Sequence, residues 1–142
     1  MCLSIAMKRP DAVLARGEHA GHEWMVIHNG RGYRCGYVKV EPGHLWHGRD
    51  ESDIDARAHG GVNFSEADVD CGKGGADNGW WFGFDTNHAF DARDPDLPCP
   101  AILREVDARF PIADDVVRTQ EYVEAECRSL CEQAARAKEA TQ

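Results

Sequence analysis

The sequence predicts an α+β protein: an antiparallel β-sheet of about four strands packed by C-terminal α-helices. Three observations carry that prediction. Short β-branched and aromatic runs fill the first two thirds of the chain, separated by Gly, Pro and Asn-Gly turn signals. Apolar residues recur at helical spacing in the last third. Strands first and helices last is the order of α+β domains rather than of alternating βαβ units. The 142 residues fit a single domain over 1–142, with residues 1–20 expected as a loosely ordered N-terminal segment.

Residues 22–28 form the first strand-like run, and Asn29-Gly30 follows as a hairpin turn signal. Residues 33–40 alternate as the second strand, with Tyr33, Cys35 and Tyr37 on one face, and Pro42-Gly43 end it. Residues 50–56 suggest one helical turn, and residues 60–65 a short strand. Residues 66–79 are acidic and then glycine-rich, an exposed loop returning to the sheet. Residues 80–84 read as a central strand covered on both sides, with Trp80, Phe82 and Phe84 facing one way and Trp81, Gly83 and Asp85 the other. Ile102, Leu103, Val106 and Phe110 mark an amphipathic helix stopped by Pro111. The last helix is expected from about residue 115 to 137, with Val123, Cys127, Leu130 and Ala134 as its apolar stripe. Its acids cluster early (Glu121, Glu124, Glu126) and its bases late (Arg136, Lys138), as the helix dipole favours.

Charge narrows the function classes. Sixteen basic and 25 acidic side chains give a net charge of −9. Residues 1–49 carry a balance of +3, whereas residues 50–84 and 85–142 carry −6 each. No basic stripe is present to release counterions from a nucleic-acid backbone, so direct nucleic-acid binding is not expected. An acidic surface suits a partner protein with a basic surface. No apolar run approaches the roughly 20 residues a bilayer span needs, so no membrane association is expected. Lys8 and Arg9 follow a short apolar patch, the reverse of a secretory signal, and the six cysteines contain no Cys-x-x-Cys pair. Free, mostly buried thiols in a cytoplasmic setting are the expectation.

The densest polar group lies around the second strand pair. His59-Gly60-Gly61 opens one strand, and Asp85 with His88 and Asp91 leaves the other. If those strands pair antiparallel, His59, Asp85, His88 and Asp91 converge at one end of the sheet. Two imidazoles and two carboxylates there suit a transition metal such as zinc, manganese or iron. They equally suit a His/Asp acid–base pair, or plain turn capping and backbone hydrogen bonding. Gly60 and Gly61 admit close approach of a ligand, and Trp81 could stack a nucleotide-like ligand or pack in the core. Asp68-x-Asp70 begins like a calcium loop but fails at later positions, and residues 72–75 lack the spacing of a phosphate loop.

Taken together, residues 34–38, 43–48, 59–64 and 80–85, with His88 and Asp91, resemble a group of uncharacterised small proteins of bacteriophages and prophages. The resemblance covers roughly residues 22–91 and the Tyr122-Val123 region. Thr86 stands where that group carries Cys. The resemblance implies a phage setting and action in the host cytoplasm. Two functions then stand as expectations. One is an accessory protein acting by binding, a counter-defence or host-modulating inhibitor or a sequestrant of a small ligand, with residues 50–70 and 71–79 as its contact surface. The other is a metal-assisted or His/Asp acid–base hydrolase acting on a nucleotide-like substrate. No activated nucleophile or phosphate clamp is visible for the second.

Overall fold

A computed structural model describes residues 3–68 and 78–140. Helix α1 (Ser4–Lys8) and a 3-10 turn (Pro10–Ala12) lead into strands β1 (Val13–His19), β2 (His22–His28) and β3 (Arg34–Val40). A second 3-10 turn (Glu51–Asp53) precedes β4 (Phe64–Ala67) and β5 (Trp80–Asp85). Strand β6 (Asp91–Ala92), helix α2 (Ala101–Arg109), strand β7 (Val116–Val117) and helix α3 (Gln120–Ala140) complete the order. The main sheet is antiparallel, in the order β1-β2-β3-β5-β4, while β6 and β7 form a separate parallel pair.

Among the described residues the sheet has five strands, one more than the roughly four expected. The additional strand is β1, inside the segment expected to be loosely ordered. From residue 3 onward that segment is ordered because its apolar residues have somewhere to go. Leu3, Ala6 and Ala12 are buried against Met25, Ile27, Tyr37 and Trp81 on one face of the sheet. The other face carries Val26, Val38, Phe82 and Phe84, and α3 covers it with Val123, Cys127, Leu130 and Ala134, all fully buried. The predicted stripe is thus the buried one. Gly36 makes the close fit possible: a Cβ there would lie 2.4 Å from the Phe84 ring and 2.7 Å from Cys127 Sγ.

Two helix expectations change. Helix α3 begins at Gln120, not near residue 115, because Val116–Val117 pair with β6 and the Thr119 hydroxyl accepts the Tyr122 N–H as an N-cap. Helix α2 forms as expected but buries no residue, so of the two C-terminal helices only α3 packs the sheet. The short strand also starts later, at Phe64, because Gly60 and Gly61 take positive φ in a turn closed by Gly61 N–H to the Ala58 carbonyl. Cys35, Cys99, Cys127 and Cys131 are free thiols. No helix of the described residues is long and apolar enough to cross a membrane.

Candidate functional site

The antiparallel β4–β5 pairing brings the turn before β4 to the end of β5, the geometry expected from the sequence. Asp91 is the centre of the resulting cluster, its side chain fully buried. Its carboxylate lies 2.8 and 2.9 Å from His59 Nε2 and accepts the Arg118 Nε–H at 2.7 Å and the His88 backbone N–H at 3.0 Å. Burial alone would raise the Asp91 pKa. The Arg118 guanidinium, His59 and the His88 amide outweigh it and hold the carboxyl below its ordinary range.

The network extends outward through both imidazoles. His59 Nδ1 meets the Tyr122 hydroxyl at 2.8 Å, and the Arg118 guanidinium sits over the Tyr122 ring at 5.3 Å. The neutral tautomer that satisfies both contacts has the His59 proton on Nε2, facing the Asp91 carboxylate, and Nδ1 accepting from the tyrosine. His88 lies between two carboxylates, with Nε2 3.4 Å from Asp85 and Nδ1 3.6 Å from Asp91, and its side chain is one-third exposed. Asp85 is itself held by Asn63 Nδ2 at 2.7 Å and the Asn87 N–H at 3.0 Å.

The backbone is shaped around these contacts. Gly60 has φ +68, and a Cβ on it would lie 2.3 Å from the His88 ring, so only glycine fits. The turn from His88 to Asp91 is closed by Asp91 N–H to the His88 carbonyl at 3.0 Å and holds Phe90 at φ +72. A bulky non-glycine residue in that region stores of order 1–3 kcal/mol of strain.

His59, Gly60, Asp85, His88 and Asp91 thus come together as expected. Two expected site residues do not join them. Gly61 has nothing within 4 Å of its Cβ position and serves only the turn. Trp81 lies four residues along β5 from Asp85, roughly 13 Å at strand spacing. It is fully buried and donates its indole N–H to Asp68 at 2.7 Å, so core packing is its role. Thr86 is likewise structural, its hydroxyl bonding the Arg34 carbonyl at 2.9 Å beyond the end of the β3–β5 pairing. Arg118, Tyr122 and Asn63 also belong to the cluster; Asn63 and Tyr122 fall in stretches that carry the resemblance but were not assigned to the site, and Arg118 was not singled out at all. Arg118 lies 27 positions beyond its carboxylate partner, with no motif between them.

An open groove of about 970 Å³ runs beside the cluster between residues 45–58 and α3, and His59 lines it together with Arg49, Asp55, Arg57 and Arg136. Two readings of the cluster fit its chemistry: a self-satisfied hydrogen-bond junction tying three segments together, and a set of metal ligands. His59, His88 and Asp91 each offer a ligand atom, all within 4.8 Å of one another. Fold and site together define an α+β protein with a His–Asp–Arg cluster built around one buried carboxylate at a sheet end. Compared with family models, curated proteins and solved structures, the chain matches none.

Proposed function

We propose that the protein acts by binding rather than turnover, as a phage accessory protein in the host cytoplasm that inhibits a host or defence protein with a basic surface. The observation that carries this reading is the uncovered apolar face of α2. Ile102, Val106 and Phe110 follow one another at four-residue spacing and are 62%, 44% and 73% exposed, and Ile112 beyond them is 65% exposed. Large apolar side chains left open together on a helix are the anchors of helix-in-groove recognition. Glu105, Asp107 (paired with Arg93) and Asp114 stand exposed around them beside Arg109, an excess of acid that suits a groove with a basic rim. Of the acidic contact surface expected from the sequence, Asp50, Asp53 and Asp55 are exposed. Asp68 is buried against Trp81, and residues 69–77 lie outside the described residues. Burial also pushes thiols away from nucleophilic use: Cys35 to about 11, Cys131 to about 12, and Cys127 upward as well.

The hydrolase alternative is favoured by one observation, the part-exposed His88 held between two carboxylates. A photo-crosslinking residue placed at position 102 or 110, with position 45 as an exposed control, separates the two readings in infected host cells. The expected result is one protein captured from 102 and 110 but not from 45. The purified pair should then inhibit at a fixed molar ratio, weaken with salt and lose at least tenfold in affinity with Phe110→Asp. Equal affinity of Phe110→Asp and the parent, or multiple turnover of a nucleotide substrate lost in His88→Ala, would overturn the binding reading.

A further inference from the structure

We propose that His59, His88 and Asp91 hold a divalent first-row transition-metal ion of the zinc or iron(II) kind, with at least one coordination position left open. This rests on the cluster alone and not on the α2 surface. Two imidazoles and one carboxylate are a ligand set that both ions use with a vacant position for water or substrate.

The spacing fits. Donors bound at ~2.0–2.1 Å around one ion lie roughly 3.0–3.4 Å apart. His59 Nε2 and Asp91 are 2.8 Å apart, and His88 Nδ1 and Asp91 Oδ2 are 3.6 Å apart. Adjustments of about half an ångström bring both Asp91 pairs to coordination distance, and the donors of the two imidazoles, within 4.8 Å of each other, draw together by up to about 1.4 Å through side-chain rotation.

The outer contacts argue more strongly. A metal-bound imidazole almost always gives its second nitrogen to an oxygen partner that fixes its orientation. Both histidines have that partner in place. His88 turns Nδ1 towards Asp91 and Nε2 towards the Asp85 carboxylate; His59 turns Nε2 towards Asp91 and Nδ1 towards the Tyr122 hydroxyl. Asp85, placed among the ligands by sequence spacing, becomes instead the outer carboxylate, anchored by Asn63 and the Asn87 amide. Arg118 binds the Asp91 oxygen Oδ1, which leaves Oδ2 between the two imidazoles. When an ion takes the His59 Nε2 lone pair, the ring proton moves to Nδ1 and the Tyr122 hydroxyl rotates from donor to acceptor. No group is left unsatisfied by the exchange. The side chain of His88 is one-third exposed, so the open position faces the surface rather than the core.

Gly60 and Phe90 set the backbone that brings these donors together. A glycine with no room for a Cβ brings His88 down onto the turn that carries His59, and a left-handed Phe90 aims Asp91 at both rings. Strain of this kind persists where a site requires it.

The test uses the full chain with any tag removed, stripped with chelator and shown to be folded by circular dichroism. It is titrated with Zn²⁺, with Fe²⁺ under anaerobic conditions, and with Co²⁺ as a spectroscopic probe. One equivalent should bind, and the intensity of the Co²⁺ absorption bands should separate a four-coordinate zinc-type site from a six-coordinate iron-type one. His88→Ala, a surface change that leaves the buried Asp91 contacts to His59 and Arg118 in place, should abolish one-equivalent binding. Asp85→Asn should weaken it by about tenfold or more, as the loss of an outer partner does. Asp53→Asn, an exposed acid of the neighbouring groove, should leave it unchanged. A folded protein that takes up none of the three ions, or a folded His88→Ala variant that binds as tightly as the parent, would overturn the proposal.

Discussion

Asp91 shows how much one side chain can organise. It sits between three segments far apart in sequence and gives each of them a charged hydrogen-bond acceptor. Asp91→Asn keeps the shape but removes the charge that Arg118 and His59 face. Hydrogen bonds to charged groups are worth about 1.5–3 kcal/mol each, so the variant should lose roughly 2–3 kcal/mol. Urea denaturation in the presence of chelator is the measurement, which keeps any ion out of the comparison. A change below about 0.5 kcal/mol would mean that the cluster does not hold the segments together. The same cluster shows what spacing can and cannot reveal. His59, Asp85, His88 and Asp91 were legible because a single antiparallel pairing joins their two loops. Arg118 and Tyr122 were not placed with them, because they arrive from the β7–α3 junction and the first turn of α3, whose path over the sheet no local pattern encodes.

At the scale of elements, α2 and α3 have similar amphipathic sequences and opposite fates. Helix α3 buries Val123, Cys127, Leu130, Cys131 and Ala134 completely, whereas α2 buries none of its residues. Leu130 lies in the centre of the α3 interface, and Leu130→Ala should cost about 3 kcal/mol, read as a lowered denaturation midpoint with an unchanged slope. A cost under about 1 kcal/mol would mean that α3 is not docked as described. The difference between the helices follows from supply of surface. One sheet face is filled by α3 and the other by the N-terminal segment, so α2 finds no apolar surface left to cover it.

For the whole molecule, acid should act in two stages. His22, His28 and His44 have pKa values below their ordinary 6.5, with burial the main cause in each. Lys138 opposes protonation of His22 and His44, whereas Glu18 and Glu41 favour it at His22. A histidine with a lowered folded pKa binds fewer protons folded than unfolded. Its contribution is therefore present above pH 6.5 and is lost as the pH drops through the folded value. Asp94 follows the same sign at lower pH. Burial would raise its pKa, but the Asp96 amide and the Arg34 ion pair at 2.8 Å hold it below the ordinary 3.8. The melting temperature should decline below pH 6.5 and again below pH 4. A flat melting temperature from pH 7 to pH 5 would contradict the first stage, and His44→Asn should reduce its slope.

The amino-acid sequence by itself determined the α+β class, the β2–β3 hairpin, the alternation of β5 and the buried stripe of α3. Each is a local periodicity, and burial of one face follows directly from it. Only the tertiary structure decided that residues 13–19 add a fifth strand and that Leu3, Ala6 and Ala12 cover the second face. It also decided that α2 stays uncovered, that Trp81 belongs to the core, and that Arg118 and Tyr122 complete the cluster around Asp91. These outcomes depend on which apolar surfaces remain vacant after the strongest elements have paired, and that competition involves residues too far apart for any local pattern to record.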